Sequence, residues 1–154
     1  MALSVGDTAP GFTLPADGGE TLSLSDFKGK AVVLYFYPRD MTPGCTIEAN
    51  DFTALADKFR KINTIVVGVS KDSPERHDRF CRKYRLKVRL VSDAEGSLCD
   101  AYGVWKHKSL YGRTFMGVER STFLIDKTGN IREIWRKVKV RGHAAEVLEK
   151  VKAL

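Results

Sequence analysis

No stretch of this 154-residue chain stays apolar for long. Its longest uninterrupted apolar run, Ala31-Val32-Val33-Leu34-Tyr35-Phe36-Tyr37, falls far short of the roughly 20 residues that cross a bilayer as a helix, so no membrane span is expected. The opening Met1-Ala2-Leu3-Ser4-Val5-Gly6-Asp7 lacks the basic stretch, apolar stretch and small-residue cleavage site of a secretory signal, and the expected location is the cytoplasm. Cysteine is scarce: Cys45, Cys81 and Cys99 are an odd count with no closely spaced pair. That excludes a secreted disulfide framework and zinc-finger spacing, and the missing Cys-x-x-Cys argues against a thiol-disulfide oxidoreductase. The histidines His77, His107 and His143 are scattered without short metal-ligand spacings, so neither a metal nor an organic cofactor is expected. No repeat, low-complexity tract or Ser/Pro-rich linker divides the chain, and residues 1–154 read as a single domain.

What is present suits such a domain. Hydrophobic residues make up 43% of the chain, enough for a core without disulfide staples. The net charge is +7, with basic residues gathered at Arg76, Arg79, Arg82, Lys83, Arg85, Lys87 and Arg89 and again from Arg132 to Arg141. Acidic residues are interleaved through most of the chain and no nucleic-acid motif accompanies the charge, so these read as solvated faces and a nucleic-acid partner is not expected.

Ala31–Tyr37 and Thr64–Val69 are continuous runs rich in Val, Ile and aromatics, the pattern of strands covered on both faces. Between them Ala49, Phe52, Leu55, Ala56 and Phe59 recur at helical spacing, predicting the crossover helix of a right-handed βαβ unit. Ala16-Asp17-Gly18-Gly19 predicts an N-terminal hairpin. Ser73-Pro74-Glu75 starts a helix running to about Tyr84, and Val88–Val91 is a short strand. Asp93 is expected to cap a helix through Tyr102 that Gly103 ends in a left-handed conformation. Ser121–Ile125 and Ile131–Trp135 flank the hairpin signal Asp126-Lys127-Thr128-Gly129-Asn130, and Ala144, Val147, Leu148 and Val151 mark a closing amphipathic helix. The sum is an α/β fold: a central mixed sheet flanked by helices on both faces, with an N-terminal β-hairpin extension.

Directly after the first core strand comes Tyr37-Pro38-Arg39-Asp40-Met41-Thr42-Pro43-Gly44-Cys45-Thr46-Ile47-Glu48, which places Cys45 in the first turn of the crossover helix. Helix N-termini present unpaired N–H groups and a partial positive charge that favour a reactive thiolate. Ligand sites of open α/β sheets also lie beyond the carboxyl ends of strands. A lone cysteine can equally be a small buried hydrophobe, but the Pro-Gly turn and preceding threonine hydroxyl favour the reactive reading.

With Pro38-x-x-x-Thr42-x-x-Cys45 and Glu48, the run Gly117-Val118-Glu119-Arg120-Ser121-Thr122-Phe123-Leu124-Ile125-Asp126, and the segments Ser92-Asp93 and Ala101–Trp105, the chain resembles the peroxiredoxins over nearly its whole length. Within them it is most similar to the bacterioferritin comigratory protein, or peroxiredoxin Q, branch. The resemblance implies a thioredoxin-like fold, hydroperoxide substrates, and regeneration by thioredoxin, glutaredoxin or a similar dithiol protein. It implies Cys45 as the peroxidatic nucleophile, Thr42 and Arg120 holding and polarising the peroxide, Pro38 shielding the pocket, and Glu48 orienting the arginine. Many relatives place a resolving cysteine five residues after the nucleophile, where this chain has Asn50; another subset places it on the following helix, where Cys81 lies. Cys81 is therefore expected to resolve, against the alternative of an ordinary helix residue beside Phe80 and Tyr84. Cys99 reads as core packing.

The resulting expectation is a monomeric thiol peroxidase cycling through sulfenic acid at Cys45 and a Cys45–Cys81 disulfide. A peroxide-responsive redox sensor with incidental turnover is the alternative. A Cys–His hydrolase is disfavoured because no histidine is tied to the Cys45 motif and Arg120 would go unexplained.

Overall fold

In the computed structural model, which describes residues 2–154, Asp17-Gly18-Gly19 reverses the chain between strands β1 (Thr13–Pro15) and β2 (Thr21–Ser23), the expected N-terminal hairpin. Strand β3 (Ala31–Phe36) is buried at every position and leads into helix α1 (Pro43–Ala54). Leu55 separates α1 from a short α2 (Ala56–Lys61), so the single crossover helix expected from periodicity is two helices. At the break Leu55 takes φ −100° and ψ 2°, and its N–H turns back to the carbonyls of Phe52 and Thr53. Ala49, Phe52 and Phe59 nevertheless all reach one cluster.

Strand β4 (Thr64–Ser70) is followed by helix α3 (Pro74–Tyr84), begun as predicted by Ser73, whose hydroxyl accepts the Arg76 N–H. Strand β5 (Arg89–Ser92) leads to helix α4, which spans only Ser97–Ala101. This corrects the longer helix expected from Asp93. Gly96, at φ 84°, breaks the path, and the Asp93 carboxylate instead accepts the N–H groups of Leu98 and Cys99 at 3.1 and 2.8 Å. Gly103 is left-handed as expected, at φ 67°. Strands β6 (Trp105–Leu110) and β7 (Arg113–Val118) then form a separate hairpin that the sequence did not announce. Strands β8 (Ser121–Ile125) and β9 (Ile131–Trp135) and helix α5 (His143–Lys152) complete the chain at the predicted places.

The main sheet has the order β5-β4-β3-β8-β9, with β3, β4 and β5 parallel and β8 and β9 antiparallel. Strand alternation divides the core in two. Val33, Tyr35 and Tyr37 pack with Phe52, Phe59, Phe80, Val147 and Leu148 under α1, α2, α3 and α5. Val32, Leu34 and Phe36 face the other way, onto α4, the N-terminal segment and Phe123. Four helices thus cover one face, while the other has α4 and the N-terminal hairpin. At the centre of the first layer, Tyr35 stacks on Phe52 with ring centroids 4.8 Å apart. Its ring occupies space left by Gly68 on the neighbouring strand, where a Cβ would lie 2.7 Å from the Tyr35 ring.

Candidate active site

Tyr37 continues β3 past the last ladder residue, its N–H bonding to the Val69 carbonyl at 3.0 Å, and residues 38–42 then turn the chain into α1. Met41 makes that turn with φ 64°, a left-handed conformation uncommon for a residue with a side chain. Pro38 is half-buried at the strand's end. Thr42 is the N-cap residue of α1 by position, yet its hydroxyl makes no cap bond; it donates to the Arg39 carbonyl at 2.8 Å. Pro43 and Gly44 open the helix, and Cys45 follows in the first turn with only 2% of its surface exposed.

The decisive geometry comes from a residue 75 positions away. Arg120 lies between β7 and β8, and its Nη2 donates to Cys45 Sγ at 3.3 Å while Nη1 donates to Glu48 Oε1 at 2.7 Å. Glu48, one turn along α1 from Gly44, is 1% exposed. Burial pushes its carboxyl up to about 7, against the pull of the Arg120 guanidinium. Burial works against the charge on Arg120 too, but Glu48 and Cys45 outweigh it and raise its pKa. A permanently charged fork is thereby aimed at the sulfur by a buried carboxylate.

Cys45, Glu48 and Arg120 are thus in direct contact, while Thr42 stands one residue before α1 with its hydroxyl on the Arg39 carbonyl. Two further features carried no sequence signal that was read. Gly44 leaves room for the close approach of Arg120, since a Cβ there would lie 3.3 Å from Nη2 and the guanidinium would have to give slightly. Lys108, on the hairpin that sequence reasoning missed, feels both Arg120 and Cys45; burial first, and then the like charge of Arg120, lower its pKa. The two-residue turn Tyr111-Gly112, both at positive φ, was the available clue to that hairpin. Phe115 and Met116 stand 45% and 39% exposed on it, whereas Trp105 packs under Lys71, whose Nζ lies 4.1 Å from the ring centroid.

Cys81 lies on α3, half-buried and unbonded to another sulfur. Burial, then the charges of Asp17, Asp40 and Asp78, push its thiol up to about 12. Cys99 is fully buried on the opposite side of the sheet from Cys45, in the layer of Phe36, Tyr102 and Phe123. A concavity of about 510 Å³, lined by Lys30, Phe59, Arg60 and Lys87, lies by the starts of β3 and β4 and includes none of these site residues.

The AhpC/TSA family model matches residues 5–134. Peroxiredoxin Bcp of Bacillus subtilis is 50% identical over 152 residues, covering 99% of this chain and 97% of that protein. A crystal structure of a Xylella fastidiosa PrxQ cysteine-to-serine mutant matches with a TM-score of 0.94 and 45% identity, covering 99% of this chain and 98% of that one. Two structures of Xanthomonas campestris peroxiredoxin Q match with a TM-score of 0.88 and 46% identity, over 92% of this chain and 90% of theirs. In those two, serine replaces one or the other of two cysteines 36 residues apart, the separation of Cys45 and Cys81. The bacterioferritin comigratory protein of the same organism was crystallised in work on its alkyl peroxide reduction activity. With this geometry and this extent of similarity, the chain belongs to the AhpC/TSA family, has the thioredoxin-like α/β fold of its peroxiredoxin Q neighbours, and is a thiol-dependent peroxidase of the Bcp branch.

Proposed function

We propose that Cys45 is the peroxidatic nucleophile, that Arg120 and Thr42 bind and polarise the hydroperoxide, and that Cys81 resolves the oxidised form. The single observation that carries the reading is the Arg120 fork, with one arm on Cys45 Sγ and the other on buried Glu48. A guanidinium at 3.3 Å stabilises negative charge on sulfur and stands ready to meet the charge that develops on a departing oxygen. The thiolate attacks one peroxide oxygen, the O–O bond breaks, and the other oxygen leaves with the bonding pair and takes a proton to become alcohol or water. Cys45 is left as sulfenic acid. Thr42 gives its hydroxyl hydrogen to Arg39, so its oxygen is free to accept the peroxide's own hydrogen. Pro38, half-buried at the end of β3, shields the pocket.

Attack of Cys81 on the sulfenic acid forms a disulfide and releases water; a dithiol protein such as thioredoxin or glutaredoxin then reduces it, becoming oxidised in turn. The matching 36-residue spacing of the two mutated cysteines in the Xanthomonas campestris structures favours this assignment. A monomer organised as one domain suffices for the cycle, because both thiols belong to one chain. The sensor alternative has no observation of its own in its favour. Cys45→Ser should abolish peroxide consumption in an assay coupled to thioredoxin and its reductase while leaving the circular dichroism spectrum unchanged. Substantial turnover by that variant would overturn the reading.

A further inference from the structure

We propose that Asp40 and His77 are positioning residues for the second half of the cycle: a buried clasp that ties the peroxidatic loop to the helix carrying Cys81, and whose release gates disulfide formation. The inference rests on the assignment of Cys81 as the resolving thiol.

Asp40 and His77 are both fully buried, and neither serves the peroxide site just described. His77 Nδ1 lies 2.6 Å from Asp40 Oδ2, and His77 Nε2 lies 2.9 Å from the Val91 carbonyl. A carbonyl can only accept, so Nε2 carries a hydrogen. Tyr37 donates its hydroxyl to the other carboxylate oxygen of Asp40 at 2.5 Å. The backbone of Asp40 is held as well, its N–H by Asp72 Oδ2 at 2.8 Å and its carbonyl by Arg76 Nη2 at 3.2 Å. Asp72 is braced by the Ser70 hydroxyl at 2.6 Å and Arg76 Nε at 3.1 Å. Three of the four partners of Asp40 thus come from residues 72–77.

Asp40, Asp72 and His77 also bring three potential metal ligands together, but their facing atoms are engaged by one another and by Tyr37, Ser70 and Arg76. A guanidinium on Asp72 makes the cluster a closed polar network rather than a cation site. Nor is His77 placed as a base for Cys45, because both ring nitrogens are already bonded elsewhere.

The position in sequence gives the network its meaning. Asp40 precedes Cys45 by five residues within the same loop and helix start, and His77 precedes Cys81 by four, one turn along α3. One buried pair therefore fastens the two segments that carry the reacting sulfurs. A disulfide needs Cα atoms roughly 4.4–6.8 Å apart with suitably directed Cβ atoms, and each cysteine here sits in a regular helix. The thiol of Cys81 is also held in its protonated form while α3 is folded. Resolution accordingly calls for one or both segments to open, and the clasp opposes that opening. While closed, it preserves the geometry that reacts with peroxide; its lifetime sets how long sulfenic acid at Cys45 remains exposed to a second peroxide molecule.

The test separates the two half-reactions in His77→Leu and in the milder Asp40→Asn, which keeps the shape and the Tyr37 bond but removes the carboxylate charge. After a peroxide pulse, quenched mass spectrometry follows the Cys45–Cys81 link and sulfinic acid at Cys45. His77→Leu should form the disulfide faster by on the order of tenfold and Asp40→Asn by about threefold, with correspondingly less sulfinic acid at high peroxide. The bimolecular step at Cys45 should change far less than the resolution step in both, because the closed geometry still predominates in the folded variants. A purely structural pair would lower the melting temperature without altering this partition, and a parent-like partition in the folded variants overturns the clasp. Asp40→Asn alone decides the matter if His77→Leu does not fold. If the parent forms no Cys45–Cys81 link at all, the assignment of Cys81 fails and the clasp with it; a normal link whose rate ignores both substitutions sinks the clasp alone.

Discussion

Glu48 answers to two opposed influences. Burial favours its neutral form and Arg120 favours its charged form, leaving a carboxyl that titrates at about 7. Ionised, it fixes Nη1 and so keeps Nη2 on the sulfur. Protonated, it loses the charge that aligns the fork. The folded pKa is raised, so the productive carboxylate accumulates as pH rises through 7, and the rate of Cys45 with peroxide should rise across the same range. Glu48→Gln, permanently neutral, should react more slowly at pH 8 by on the order of tenfold and lose that inflection in stopped-flow measurements. An inflection near 7 that persisted in the variant would belong to another group. None of this was legible in Glu48 as a residue type, since an acid near the start of a helix is ordinary. The family resemblance singled out Thr42, Glu48 and Arg120, but a contact across 72 or 75 positions of chain exists only once β3 and β8 pair.

At the scale of elements, apolar runs and spacing located β3, β4 and α5, which bury continuous or periodic sets of side chains, while the Ser73-Pro74-Glu75 start located α3 and the turn from Asp126 to Asn130 located β8 and β9. The β6–β7 hairpin escaped because its strands are mostly exposed and carry no buried alternation. Helix α4 was overextended because the αL conformation of Gly96 is a backbone property that apolar spacing does not encode. The β3–β4 register holds a sharper constraint. Gly68 opposes Tyr35, and a Cβ there would meet the Tyr35 ring at 2.7 Å, its hydroxyl at 2.8 Å and Leu90 at 2.9 Å. Both neighbours are buried and cannot swing away, so Gly68→Ala should destabilise the fold by about 1–3 kcal/mol in urea denaturation. Unchanged stability would mean that β4 can slide away from Tyr35 at little cost.

Both apolar layers pack against the one five-stranded sheet, and they meet through its alternating side chains. Disrupting either layer exposes the other, so the chain should unfold in a single transition, with calorimetric and van't Hoff enthalpies equal. Two resolved transitions would contradict a single domain. Among the described residues no helix is long and apolar enough to cross a membrane. The same sheet that unites the molecule also acts as a redox partition. Cys45 and Cys81 pack with the layer on one side, and Cys99 is sealed into the layer on the other. In the proposed Cys45–Cys81 cycle, electrons drawn from the molecule by peroxide come from one side only. A protein that yields three titratable thiols when reduced and denatured should yield one after oxidation, and alkylation under denaturing conditions should find that label on Cys99.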